Sequence, residues 1–276
     1  MKMKRVASII LNRNLPKVCD SLYENLYKNN NAITDIYVVE AGSDLGNLSK
    51  YVTWHADWNS AKTNGLRFNR GMNYGLTKLI EEGRFDNYDY FFLITNDTVF
   101  SDEPVIEKLC KIMDYHHKLG ILSPCSSDWG ELKLLNKNKT LYFWFIHNTA
   151  YMLRKNFIKS IYNLDGDRIL NLLFDGNNFR GYCSELELIA KGYSNDWASG
   201  ITSEVLCSEN ESYLINSPEI IRTEPYEENL KLYVEEGIKW MRKKYGFNSK
   251  WSMQQYVKCF YDRFFEFNPE FQQFQL

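Results

Sequence analysis

Cysteine is scarce and scattered: Cys19, Cys110, Cys125, Cys183, Cys207 and Cys259 form no C-x-x-C pair, and only four histidines accompany them. That spacing speaks against a structural zinc site, and the thiols read as reduced and mostly buried, as in a cytosolic protein. Basic runs are equally short. The longest is Arg242-Lys243-Lys244 and the formal net charge is −2, which argues against a nucleic-acid partner. No long hydrophobic run occurs either. Val6 to Leu11 follows the basic start Lys2 to Arg5 but stops at Asn12, too short to span a bilayer and without a convincing cleavage signal. A cytoplasmic location is expected, with room for peripheral contact at the inner face of a membrane. Internal repeats, low-complexity segments, a G-x-G-x-x-G fingerprint and a G-x-x-x-x-G-K-[ST] phosphate loop are all missing.

What is present suits a sizeable core. A chain of 276 residues that is 44% hydrophobic can fill one domain, with or without an appendage. Its 19 tyrosines and 17 phenylalanines fit a protein that closes over sugar-like ligands, and fit a well-filled core equally.

Val6 to Leu11 reads as a buried strand, followed by the turn Asn12-Arg13-Asn14-Leu15-Pro16 and a helix over 18–28 with Val18, Leu22 and Leu26 on one stripe. Ile33 to Val39 is a second strand, ended by Glu40-Ala41-Gly42-Ser43-Asp44. Strand, turn, helix, strand opens a mostly parallel sheet and places both turns on one edge. Residues 51–58 suggest a short strand and loop, Asn64 to Asn73 a glycine- and asparagine-rich loop, and Tyr74 to Glu82 a helix. Tyr90 to Ile94 is fully apolar and ends in Thr95-Asn96-Asp97-Thr98; a helix over 105–119 and a strand stopped by Pro124 follow. Two short strands split at His147-Asn148, a helix over 157–162 and another over 184–193 are expected next. Beyond about residue 222 the pattern is helical, with Leu230, Val234, Ile238 and Met241 in step.

Ligands of α/β sheets bind at the carboxyl ends of strands. The polar residues Asn12, Arg13, Asn14, Glu40, Asp44, Thr95, Asn96 and Asp97 follow apolar strands, so a crevice is expected there. Asp97 could share a hard cation with substrate phosphate, or cap the helix near Asp102-Glu103-Pro104. Arg67 and Arg70 could neutralise phosphate, and Asn73 could contact ligand or cap the next helix. Glu185 and Glu187, two apart on a helix, point in different directions, so one is expected to face the crevice, where a raised pKa would suit a general base. His116-His117 reads as surface and His147 as structural or a substrate contact. Trp129, with Asp128 and Glu131, offers an aromatic wall for a sugar ring.

Together these motifs resemble family 2 glycosyltransferases of the GT-A fold, of the bacterial polysaccharide and glycan type. Val6 to Asn14 is similar to their first strand, and Ile36 to Asp44 to the second strand with its D-x-x-S-x-D-like turn, glutamate standing at Glu40. Asn64-Gly65-Leu66-Arg67-Phe68 and Gly71-Met72-Asn73-Tyr74-Gly75 resemble the loop beside the nucleotide diphosphate. Phe92 to Thr98 resembles the L-N-P-D-T form of the metal motif, with Thr95 where the strict D-x-D has aspartate. Phe179 to Gly192 resembles the acidic region, lacking its usual arginine and several residues shorter in its approach to Gly192-Tyr193.

The resemblance covers roughly residues 5–205. It implies an α/β GT-A sheet domain over 1–220, flanked by helices, and a helical extension over 221–276 able to mediate homo-oligomer contacts. It further implies inverting transfer of a hexose-type sugar from a nucleotide-diphosphate donor to a glycan or other hydroxyl acceptor. Glu185 would be the base, with Glu187 as the alternative. Asp97 would hold Mn²⁺ or Mg²⁺; Glu40 and Asn14 would lie near the base and ribose, Asn73 and Arg67 beside the diphosphate, and Asp44, Asn64 and Asn96 would also contact the donor. Two other readings stay open: a non-catalytic carbohydrate- or nucleotide-sugar-binding protein, and a sugar-phosphate nucleotidyltransferase.

Overall fold

The computed structural model describes residues 5–128, 130–135 and 139–276. Two apolar strands set the centre of the sheet. β1 (Val6–Asn12) and β4 (Tyr90–Thr95) are buried along almost their whole length, as parallel strands covered on both faces must be. Between them in sequence lie α1 (Pro16–Asn30), β2 (Thr34–Glu40), β3 (Val52–His55), α2 (Asn59–Asn64) and α3 (Arg67–Glu81). Pro16 opens α1, where a missing N–H costs nothing, and Cys19, Leu22 and Leu26 form its buried stripe.

β1 pairs in parallel with β2 and β4, and β2 with β3. The register aligns Asn12 with Glu40 and Leu11 with Thr95, so the turns after β1, β2 and β4 open on one edge.

The loop expected over 64–73 is instead mostly the first half of α3. Its glycines serve packing: a Cβ on Gly71 would lie 2.3 Å from Leu11, and one on Gly75 would lie 2.9 Å from Ile9. Only a bare backbone lets α3 sit this close to β1.

The second half of the sheet is mixed. β5 (Thr98–Phe100), α4 (Val105–Tyr115), β6 (Leu119–Ser126), β7 (Thr140–Tyr142), β8 (Ala150–Arg154), α5 (Lys155–Ile161), α6 (Arg168–Asn171), α7 (Ser184–Ser194) and β9 (Ala198–Glu209) complete the order β3-β2-β1-β4-β8-β6-β9-β5, with β7 paired to β9. β8 runs antiparallel between β4 and β6, and β9 runs parallel to β6. β6 continues past Pro124 with a register shift against β9, which accommodates the missing donor. β9 is the strand that hydropathy gave no sign of.

After the short α8 (Ser212–Asn216), helices α9 (Tyr226–Tyr245) and α10 (Lys250–Phe267) close the chain. Trp240, Met241, Met253, Val257, Tyr261, Phe264 and Phe265 join the same apolar cluster as the sheet. The described cysteines are free thiols, all buried except Cys259. Among the described residues, no helix is long and apolar enough to cross a membrane.

Candidate active site

The strand-end turns are stitched by amides. Asn96 donates from Nδ2 to Asn12 Oδ1 at 2.7 Å, and Asn12 Nδ2 donates to both oxygens of Glu40 at 3.0 Å. Glu40 also accepts from the Ser49 N–H at 2.7 Å and from the Ser43 hydroxyl, and it is fully buried. Its acceptor capacity is used in bracing the turns, so Glu40 does not present itself to a nucleotide base as expected.

Asn14, in the left-handed region at φ 55°, accepts from the Asp44 N–H at 2.7 Å and donates to Ile220 O at 2.7 Å. Asp44 pairs with Arg222 at 2.6 Å, and Asn64 stands exposed at the end of α2. The segment 210–224, which joins β9 to α9, thus lies across the strand ends.

Beneath it is a cleft of about 220 Å³, lined in part by Arg13, Arg67, Asn96, Asp97, Tyr213 and Thr223. Its two arginines keep unspent donors, although Arg67 also lies 3.7 Å from the Glu224 carboxylate. Arg13 donates to Lys62 O at 3.0 Å and Arg67 to Thr223 Oγ1 at 3.0 Å, yet the Nε of each is buried and unpaired. Burial, then Arg67 and Arg222, pushes Arg13 down to about 10; burial, then Arg180, lowers Arg67. Half-buried like charges with unspent donors favour an anion between them.

Asp97 faces the same cleft. Its Oδ1 is buried without a partner, and burial, opposed by the Thr95 hydroxyl and reinforced by Glu209 and Glu211, pushes the carboxyl up to about 6. Thr95, at the position of the absent second aspartate, is engaged by Thr98 Oγ1 at 3.1 Å and Thr149 O at 3.2 Å. No cluster of three or more His, Cys, Asp or Glu able to hold a metal exists among the described residues. The single orphaned oxygen fits a hard cation whose remaining ligands are diphosphate and water, and does not fit a closed protein cage.

Glu185 and Glu187 separate as their spacing requires. Glu185 is buried, accepts from Asn148 Nδ2 at 3.1 Å, and is raised by burial against the opposing charge of Lys250. Glu187 instead accepts from Tyr245 OH at 2.6 Å and pairs with Lys244 at 2.6 Å, tying α7 to α9. Glu185 and Asp97 share one end of the sheet: Thr149 O accepts from the Thr95 N–H at 3.0 Å, and its neighbour Asn148 holds Glu185.

Asn73 does not enter the cleft. It lies inside α3, not at a helix start; its Nδ2 donates to Ile169 O and Phe174 O, and its Oδ1 accepts from the N–H groups of Leu173 and Phe174. With its amide filled by that segment, it neither lines the cleft nor caps a helix start. Arg70 is similarly turned to Gly176 O at 2.8 Å. His116, expected at the surface, is buried against Tyr142 and Phe274, and burial brings it down to about 4. Trp129 and the Glu131 side chain lie outside the described residues. Asn148 and the cleft-covering Tyr213, Ile221 and Thr223 gave no sequence sign of belonging to a site, beyond the polar break at 147–148.

No protein-family model matches this sequence, and no curated relative matches it. Solved structures do match. S. aureus TarS aligns over 95% of this chain at 13% identity and a TM-score of 0.53; the match spans 44% of TarS, so this chain corresponds to under half of that protein. The mannosyltransferase PcManGT of Pyrobaculum calidifontis, solved with GDP-Man and Mn²⁺, aligns over 94% of this chain and 86% of its own at 10% identity and TM-score 0.51. GalNAc-T7, solved with UDP, GalNAc and Mn²⁺, aligns over 96% of this chain and 57% of its own at 8% identity and TM-score 0.54. At such identities the likeness concerns architecture: the chain has a GT-A-like glycosyltransferase fold with a helical C-terminal region.

Proposed function

We propose that this protein is an inverting glycosyltransferase, of the family 2 type that its motifs resemble, moving a hexose-type sugar from a nucleotide-diphosphate donor to a hydroxyl of a glycan or similar acceptor. The observation that carries the reading is the cleft itself. Two partly unsatisfied arginines and one orphaned carboxylate oxygen line it, and Glu185 is joined to it through Asn148 and Thr149.

In this reading Glu185 takes the acceptor proton while the acceptor oxygen bonds to the anomeric carbon. The bond from that carbon to the diphosphate breaks on the opposite face, its electron pair leaves with the nucleoside diphosphate, and the configuration inverts. Arg13 and Arg67 bind the diphosphate, Asn96 holds the turn, and Asn14, Asp44 and Asn64 border the nucleoside end. Mn²⁺ or Mg²⁺ at Asp97 would offset charge on the leaving group. The GDP-Man and Mn²⁺ of PcManGT and the UDP and Mn²⁺ of GalNAc-T7 support a donor and cation of this kind. The proposal extends to a catalytic unit over 1–220 with a helical extension over 221–276, and to a cytoplasmic location with peripheral membrane contact and helix-mediated oligomers.

The inward-turned Glu40 and the threonine at position 95 favour one competing reading, a non-catalytic nucleotide-sugar-binding protein. A thermal-shift panel of UDP-, GDP- and dTDP-sugars with Mn²⁺, followed by an assay of slow donor hydrolysis, separates them. Stabilisation by one donor class together with release of nucleoside diphosphate is expected of the enzyme; stabilisation without release supports the binder, and no stabilisation by any donor contradicts both.

A further inference from the structure

The segment that lies across the strand ends engages the cleft residues to which a donor is assigned. The Ile220 carbonyl accepts from Asn14 Nδ2 at 2.7 Å, and Arg222 reaches Asp44 Oδ1 at 2.6 Å and Lys62 O at 3.0 Å. The Thr223 hydroxyl accepts from Arg67 Nη2 at 3.0 Å, and the Glu224 carboxylate stands 3.7 Å from the same nitrogen. Within the segment, the Ile220 N–H bonds to Ser217 O, the Arg222 N–H to Glu219 O and the Thr223 N–H to Pro218 O. Glu219 and Ile220 are exposed. A turn held by polar contacts, with little apolar surface beneath it, opens more easily than the sheet it covers.

Glu224 has a second and closer partner. Arg180, on the approach to α7, pairs with it at 2.8 Å and also lies 3.2 Å from Glu236 of α9. The Arg180 guanidinium pushes the Glu224 carboxyl down to about 2, so the group is charged in the neutral range. Arg67 is placed differently. Its guanidinium lies 5.7 Å from the centre of the Phe179 ring and its Nε is buried and unpaired. An anion entering the cleft can take Arg67 without stranding Glu224, which keeps Arg180. Two anions drawn to one guanidinium repel each other, so the entering anion pushes the carboxylate away.

We propose that Glu224 is a built-in anion that occupies Arg67 while the cleft holds no donor, and that a nucleoside diphosphate displaces it, leaving the carboxylate to Arg180 and loosening the 217–224 segment from the strand ends. The inference rests on the proposed role of Arg67 in binding the diphosphate. The exchange keeps the cationic cleft neutralised between turnovers. It also favours release of the nucleoside diphosphate after transfer, because the returning carboxylate competes with the product for Arg67, and product release sets the pace of many transferases.

The test is a double-variant cycle read by titration calorimetry. The tightest binder among inorganic pyrophosphate, UDP and GDP, each with Mg²⁺, is titrated into the wild-type protein, Glu224→Gln, Arg67→Met and the double variant. Glu224→Gln should bind it tighter than wild type by on the order of fivefold, the scale of one partly exposed ion pair, and the gain should vanish in the Arg67→Met background. No gain, or the same gain in both backgrounds, overturns the proposal. The wild-type protein gives a second reading that does not depend on how Glu224→Gln folds. The same ligand at saturation should speed hydrogen exchange at the Ile220, Arg222 and Thr223 amides, and unchanged or slower exchange overturns the proposal. Should none of the three bind, or Arg67→Met bind as tightly as wild type, the diphosphate reading of the cleft falls and the inference with it. Weakened binding by Arg67→Met with no gain from Glu224→Gln removes the inference alone.

Discussion

Asn148 and Glu185 are joined by one hydrogen bond, Nδ2 to Oε2 at 3.1 Å, and Tyr151 OH fixes the amide's other end by donating to its Oδ1 at 3.1 Å. One residue further on, the Thr149 carbonyl holds the turn that carries Asp97. The two residues leading into the antiparallel strand β8 therefore couple the proposed base to the proposed cation ligand, and a small displacement there moves both groups.

Replacing Glu185 by Gln is expected to lower transfer by about 10²–10⁴-fold, the range for losing a general base, with donor affinity within a fewfold of wild type. The same variant carries a pH signature. Burial raises the Glu185 carboxyl, so the folded protein holds that proton more tightly than the unfolded chain. Stability on this account falls as pH rises from the unfolded value of about 4.3 through the raised folded value, and stays lower above it. Glu185→Gln should accordingly melt with wild type near pH 4 and above wild type at pH 8, measured by thermal denaturation in both buffers.

Arg67→Met should weaken binding of a nucleoside diphosphate by at least about tenfold, the scale of one charge-assisted hydrogen bond lost, and leave binding of the bare nucleoside unchanged. Titration calorimetry with each ligand checks it; equal losses for both would point to a collapsed cleft.

Gly71→Ala drives a methyl into Leu11, where the ideal Cβ position is 2.3 Å away. A loss of roughly 1–3 kcal/mol is expected, as for overpacked cores, read from urea unfolding at constant m-value.

Asn73→Ala strands two backbone N–H groups and two carbonyls of the 169–174 segment. A stability loss of at least about 2 kcal/mol should follow, with diphosphate affinity unchanged in the protein that remains folded. Weakened diphosphate binding without a stability loss would return Asn73 to the cleft.

The sheet core was legible because β1 and β4 are buried on both faces, and burial on both faces writes itself as an unbroken apolar run. The common edge for the turns followed from parallel pairing alone. α3 was misread because Gly71 and Gly75 signal a turn as readily as a close helix–strand contact, and only the position of Leu11 and Ile9 decides between them. β9 was missed because its residues alternate weakly and Gly200 interrupts them. Among the cleft residues, Asp97 and Arg13 could be located from the strand ends they follow, and Arg67 from the glycine- and asparagine-rich stretch that holds it. Glu40 and Asn73 carry the same residue chemistry, yet their hydrogen bonds are used up by neighbours distant in sequence. The choice between Glu185 and Glu187 depended on Lys244 and Tyr245, 57 or more residues downstream, which no local pattern connects to α7.

The most direct measurement is calorimetric titration of nucleoside diphosphate into the wild-type protein and Asp97→Asn, each with Mn²⁺ and with chelator. A diphosphate gripped through a cation at Asp97 predicts tighter binding with Mn²⁺ in the wild type and loss of that gain in Asp97→Asn. The same affinity in all four titrations would contradict it.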